Sequence, residues 1–166
     1  MEKKVFNNPN QGRNFQGQPQ GYQNRQGGYQ QREYLSYEGL KKDDVENFIK
    51  NGPTIDLVNL AENTGKYIAK TGLTTSQIRS VFTKLKEIDA KGIVDKQADF
   101  IMLKPLVAYA AKRHGKEGLN KFKSEIINPG VDYVVSSNEG NIEKRFKNFV
   151  KLLEAVLAYH KAHGGN

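Results

Sequence analysis

Four side-chain groupings have the types and spacing that site chemistry needs, and three of them are acids or histidines. Asp95 and Asp99, four residues apart, would share a helix face, as the carboxylates of a two-metal nuclease do. No further acids cluster with them, and acids in a first helical turn ordinarily complement the helix N-terminus. His160 and His163, three apart, can meet on one helix edge, yet no nearby carboxylate completes a metal site. His160 reads instead as the end of an apolar stripe, and His163 as a partner for the negative end of the helix dipole. Glu154 is a charge amid Leu152, Leu153, Ala155 and Val156, placed to pair with a base from another helix at the edge of the buried stripe. With no cysteine there is no disulfide, thiolate-bound zinc, iron–sulfur centre or cysteine nucleophile. The P-loop, HExxH and GxSxG motifs are absent too, so the sequence points to no enzyme, no metal and no cofactor.

The fourth grouping is basic. The 166 residues hold 26 Lys and Arg against 18 Asp and Glu, a formal charge of +8. Residues 1–33 carry +3, residues 34–65 carry −3, residues 66–116 carry +7 and residues 117–166 carry +1, so the excess is concentrated in one third of the chain. Within it, Arg79, Thr83 and Lys86 are spaced i, i+4, i+7 on the outward face of a helix, with Lys84 beside them. Lys112, Arg113 and Lys116 end a second helix. In the nearly neutral C-terminal quarter, Lys144, Arg145, Lys147 and Lys151 have no acid between them, and Lys144, Lys147 and Lys151 form a stripe. Each lysine alone is compatible with an ordinary solvated face. Together the three clusters favour a phosphate-binding surface that gives affinity without sequence reading and weakens as salt rises.

The elements that position these residues are helical by their apolar spacing. Ile78, Val81, Phe82, Leu85 and Ile88 share one face, and Thr74 with Gln77 is a capping box. Ile142, Phe146, Phe149, Val150, Leu153, Val156, Leu157 and His160 keep the rhythm in the last helix, which Gly164 and Gly165 stop. Thr54, after Pro53, is a cap for a helix with Ile55, Val58, Ile68 and Ala69 inward, and Gly65 weakens its middle. Residues 95–114, apolar on nearly all sides between Ala98 and Ala111, predict the centre of the bundle, with a kink or break at Pro105. Leu119, Phe122 and Ile126 predict a short helix ending before Pro129; Val131, Val134 and Val135 fit either another helical turn or a brief extended piece, and residues 138–141 a loop. The fold class is all-α, a compact bundle of five or six helices over residues 34–166.

Residues 1–33 stand apart. Gln, Asn and Gly fill 18 of these 33 positions, too little apolar surface to offset chain entropy, so a disordered tail is expected. Arg13, Arg25 and Arg32 alternate there with Phe15, Tyr22 and Tyr29, a pattern that suits either contact with single-stranded nucleic acid or a merely solvating extension. Neither a membrane span nor a secretory signal is evident, which predicts a soluble cytoplasmic protein.

Three strings carry a family resemblance: Leu73 to Arg79 (LTTSQIR), Leu103 to Arg113 (LKPLVAYAAKR) and Phe149 to His160 (FVKLLEAVLAYH). In order and spacing, over roughly Pro53 to Gly164, they resemble the small subunit of the type III-A CRISPR Csm interference complex. The resemblance implies a non-catalytic helical protein, present in several copies along the inner filament beside other Csm subunits, that helps hold target RNA on guide RNA in antiviral defence. Carried over to this sequence, it puts Arg79, Lys112 and Arg113 against RNA phosphates. The charge pattern alone adds Lys84, Lys86, Lys104, Lys116, Lys144, Lys147 and Lys151, with Lys104 alternatively a subunit contact. A stand-alone single-strand-binding protein that uses its Arg/aromatic tail is the competing reading, and a nuclease using Asp95 and Asp99 the third.

Overall fold

Capping and apolar spacing explain most of the helix starts. Thr74 Oγ1 accepts from the Gln77 N–H (3.3 Å) and Gln77 Oε1 from the Thr74 N–H (2.9 Å), the reciprocal capping box that the sequence predicts. Thr54 Oγ1 accepts from the Leu57 N–H at 3.3 Å, Asn141 Oδ1 from the Glu143 N–H at 2.6 Å, and Asp44 Oδ2 from the Lys41 N–H at 2.9 Å. The computed structural model describes residues 35–136, 138 and 141–165, so the expected disordered tail lies outside the described residues. The helices are α1 (Lys42–Asn51), α2 (Ile55–Lys70), α3 (Thr75–Lys91), α4 (Gln97–Ile101), α5 (Leu103–His114), α6 (Glu117–Lys121), a π-helical segment (Phe122–Ile127), α7 (Asn128–Ser136) and α8 (Ile142–Ala162). Because α4 continues into α5 and α6 runs through the π-segment into α7, these make six helical rods, and no strand occurs among the described residues. The all-α expectation holds.

The centre of the bundle is α8, not the stretch before His114. Phe146, Phe149, Leu152, Leu153 and Val156 are at most 2% exposed, and α8 packs on α1, α2, α3 and α7. Phe100 of α4 stands edge-on to both Phe146 (5.3 Å between centroids) and Phe149 (5.7 Å). Three buried polar side chains of α8 tie it to the ends of other helices. Asn148 Nδ2 donates to the Ile49 carbonyl at 3.0 Å, the Arg145 guanidinium to the Val134 carbonyl at 3.1 and 3.2 Å, and His160 Nε2–H to the Leu73 carbonyl at 2.7 Å. Residues 95–114 lie at the edge instead. Phe100, Leu103, Val107 and Ala111 are buried, whereas Ile101, Met102, Leu106 and Tyr109 are exposed.

Other expectations are corrected by the packing. Ile55 is 81% exposed and Val58 and Ala69 only half-buried; the inward face of α2 is Leu57, Ala61, Thr64, Gly65 and Ile68. Gly65 does not weaken α2 so much as admit α8, since a Cβ there would stand 2.7 Å from both the His160 nitrogen and Tyr159 Cβ. The break attributed to Pro105 falls upstream, at Met102, so the proline occupies the first turn of α5, where its missing N–H costs no helical bond. Pro129 does not end its helix. The preceding π-segment, in which the Asn128 N–H reaches back five residues to the Lys123 carbonyl, shifts the register, and the helix continues with Val131 and Val134 buried.

Tyr37 and Tyr67 meet edge-on at 5.0 Å; the Tyr67 hydroxyl donates to Glu117 Oε1 at 2.5 Å and that of Tyr37 to the Leu40 carbonyl at 2.6 Å. Burial pushes both phenols from 10.0 up to about 12, with the Glu117 hydrogen bond and charge adding to the effect at Tyr67. Because both folded values are raised, this contribution to stability is complete below pH 10 and declines as pH rises toward 12. In spectrophotometric titration Tyr37 and Tyr67 should ionise only near 12; ionisation of both near 10 would contradict the packing. Gly65→Ala should cost about 1–3 kcal/mol in urea unfolding through overpacking, against the roughly 1 kcal/mol that alanine gains in an open helix.

Candidate nucleic-acid interface

The basic residues divide into a face that the fold assembles and residues it leaves apart. Lys86 of α3 and Glu154 of α8 meet at 2.9 Å across the seam between these helices, which is the partner the sequence anticipates for Glu154. The Glu154 hydrogen bond, opposed by slight burial, holds the Lys86 ammonium above the usual lysine value. From Glu154, the exposed Lys151, Lys147 and Lys144 follow three, seven and ten residues toward the N-terminus of α8, and the exposed Lys161 lies seven residues the other way. They share one face of α8 that runs about 25 Å.

Helix α3 runs antiparallel to α8, because Thr75 Oγ1 donates to the Gly165 carbonyl at 2.9 Å near one end while the ion pair closes the seam further along. Arg79 lies seven residues before Lys86, as Lys161 lies seven beyond Glu154, so the two cations sit at about the same level. The result is one exposed surface bearing Arg79, Lys86, Lys144, Lys147, Lys151 and Lys161, with Glu154 in its midst. Lys161 escaped the sequence reading although its i+7 step from Glu154 carries the signal. Cations held this way offer phosphates charge and hydrogen bonds.

The remaining candidates lie elsewhere. Lys84 turns to the opposite flank of α3 from Lys86 and, with Arg113, lines hollows between α3 and α5. Lys112 and Arg113 occupy the last turn of α5, where cations complement the helix dipole, and the stem of Lys116 lies over Gly72. No hydrogen bond or ion pair among the described residues joins Lys112, Arg113 or Lys116 to the α3–α8 face. Arg145 drops out of the basic string because it is buried on the Val134 carbonyl, and Lys104 pairs with Asp132 of α7.

The acid and histidine groupings separate as well. Asp95 lies in the turn before α4 and Asp99 within α4, paired to Lys96 at 3.3 Å, so they do not share a helix face. His160 is fully buried, while His163 Nε2 faces Glu62 Oε1 at 3.3 Å. Among the described residues no group of three or more His, Asp or Glu is arranged to hold a metal, and no helix is long and apolar enough to cross a membrane.

A family model described as Csm2 Type III-A matches residues 52–166. Comparison with curated proteins and with solved structures gives no match.

With both side chains 47% exposed, the Lys86–Glu154 pair should contribute little to stability. A double-mutant cycle on Lys86→Ala and Glu154→Ala should give a coupling of at most about 1 kcal/mol in urea unfolding; a larger value would mark the pair as a structural clamp.

Proposed function

The chain belongs to the Csm2 type III-A family and is thereby a subunit of a type III-A CRISPR effector, and on that premise we propose that it is a non-catalytic subunit that holds RNA by its phosphates. The observation that carries this reading is the single α3–α8 face, where Arg79, Lys86, Lys144, Lys147, Lys151 and Lys161 are exposed together. Lysines on a straight helix follow a phosphate backbone without selecting bases, which suits a subunit that must accept any guide RNA and any target RNA paired to it. Lys112, in the last turn of α5, and Lys116, just beyond it, supply a second group of phosphate contacts. Lys84 and Arg113 flank an apolar groove and are less suited to that task. In this reading copies of the chain line the inner filament of the cytoplasmic complex, beside other Csm subunits, and cleavage chemistry belongs elsewhere in the assembly.

Glu154 gives the reading a sign test. Filter binding of the full chain to a guide–target RNA duplex, repeated with an unrelated sequence, should show equal affinities that fall with salt. Lys147→Ala with Lys151→Ala should weaken binding and lower the log–log salt slope by about 0.9 for each phosphate no longer neutralised. Glu154→Gln, which frees Lys86, should strengthen binding. Unchanged binding in both α8 variants would overturn the proposal. Loss of affinity only on replacing Arg13, Arg25 and Arg32 by alanine would transfer the function to the N-terminal segment.

A further inference from the structure

Two hollows between α3 and the α4–α5 rod, of about 440 and 260 Å³, share Leu106, and their linings follow one another along both helices, residues 84–91 then 76–81 of α3 and residues 96–106 then 106–114 opposite, so they lie end to end as one groove. Its apolar lining comes from Val81 and Ile88 of α3 and from Met102, Leu106, Tyr109 and Ala110. Met102, Leu106 and Tyr109 follow the i, i+4, i+7 spacing of one helix face and are 61%, 38% and 67% exposed. With Ile101 they make up four of the seven large apolar side chains exposed among the described residues. A contiguous apolar strip of this kind, edged by polar groups, is the surface of a helix that packs on something else.

The rim identifies the chemistry of the occupant. Lys84, Lys91 and Lys96 border one hollow and Arg113 and His114 the other, against the two acids Glu87 and Asp99. Asp99 already pairs with Lys96, whereas Lys84, Lys91 and Arg113 have no acid partner among the described residues. From Met102 to Arg113 the groove measures about 17 Å, the length of a three-turn helix. We propose that it docks an acidic amphipathic helix of another subunit of the complex, whose apolar face covers Met102, Leu106 and Tyr109 and whose flanking carboxylates meet Lys84, Lys91 and Arg113.

A second copy of this chain fits the groove poorly. Two copies meeting groove to groove would oppose like charges, and among the described residues the exposed large apolar side chains outside α4 and α5 are only Leu35, Ile55 and Val94, too scattered for a complementary face. An RNA backbone would leave the Met and Leu floor without apolar cover. The groove therefore goes beyond the RNA-holding reading and does not rest on it.

Because the chain has no cysteine, Tyr109→Cys provides one thiol for a benzophenone photocrosslinker in the full chain. After co-assembly with the other subunits and guide RNA, irradiation and peptide mapping should place the adduct on a different subunit. The adduct should fall in a segment with apolar residues at i, i+3 or i+4, and i+7 and with Asp or Glu beside them. An adduct on a second copy, on RNA, or on no component of an intact complex would overturn the proposal. As a second measurement, Leu106→Glu and Lys91→Glu, made in the otherwise unaltered chain, should each lower incorporation into the complex at least tenfold with helical content intact and with RNA affinity of the free chain within twofold of the parent. Incorporation unchanged in both variants would equally overturn it, and since Lys91 is exposed that substitution decides the matter even if the labelled chain fails to assemble. Loss of RNA affinity in step with incorporation would make the groove an RNA site instead.

Discussion

The bundle depends on how α8 satisfies the ends of its neighbours. A helix terminates with carbonyls that have no partner in their own helix, and a compact α-protein must bury some of them. Here Asn148, Arg145 and His160, all buried on α8, donate to the carbonyls of Ile49 in the last turn of α1, Val134 near the end of α7 and Leu73 after α2. Losing one such donor leaves a desolvated carbonyl, a cost of about 1–3 kcal/mol. These polar contacts are directional, so they fix the register and rotation of α8 in a way that its phenylalanines alone would not. His160 also carries the one buried side-chain nitrogen without a hydrogen-bond partner among the described residues, Nδ1.

That fixed rotation links fold to function. Once Asn148, Phe149 and Val156 face inward, the same helix must present Lys144, Lys147, Lys151 and Lys161 outward. The central helix of the core thus supplies a basic stripe of the surface, and α3 adds Arg79 and Lys86 beside it. Glu154 interrupts the charge where the two helices meet and pairs with Lys86 across the seam. The α3–α5 groove lies on the other flank of α3, so two surfaces with different chemistry, charge on one side and apolar cover on the other, share a single helix between them.

Local signals in the sequence were legible where their cause is local. The Thr74–Gln77 box, the stripe from Ile78 to Ile88, the α8 periodicity and the pairing need of Glu154 all reappear in the fold, because each follows from helical spacing. Tertiary arrangements were not legible. A helix that is apolar on all sides has the same composition whether neighbours surround it or it awaits one, so residues 95–114 suggested a centre and form an edge. Gly65 looked like a flaw because propensity counts only its own helix, while its use lies in the backbone of α8. Pro129 looked like a stop because a π-turn leaves no composition signature. Arg145 counted as surface charge because nothing local foretells the Val134 carbonyl above it. Of the basic candidates, those spaced along α3 and α8 converge, but the turn of α3 that separates Lys84 from Lys86 is visible only once both neighbouring helices are known.

The placement of α8 bears on how the chain comes off the ribosome. Helices α1 to α7 are synthesised before it, and Phe100 emerges without Phe146 and Phe149, the two rings of α8 that it meets edge-on. The termini of those helices also wait for Asn148, Arg145 and His160. A bundle of α1 to α7 without α8 would expose the core and leave those carbonyls to water, so the folded state of all the other helices hangs on one that follows them in the chain.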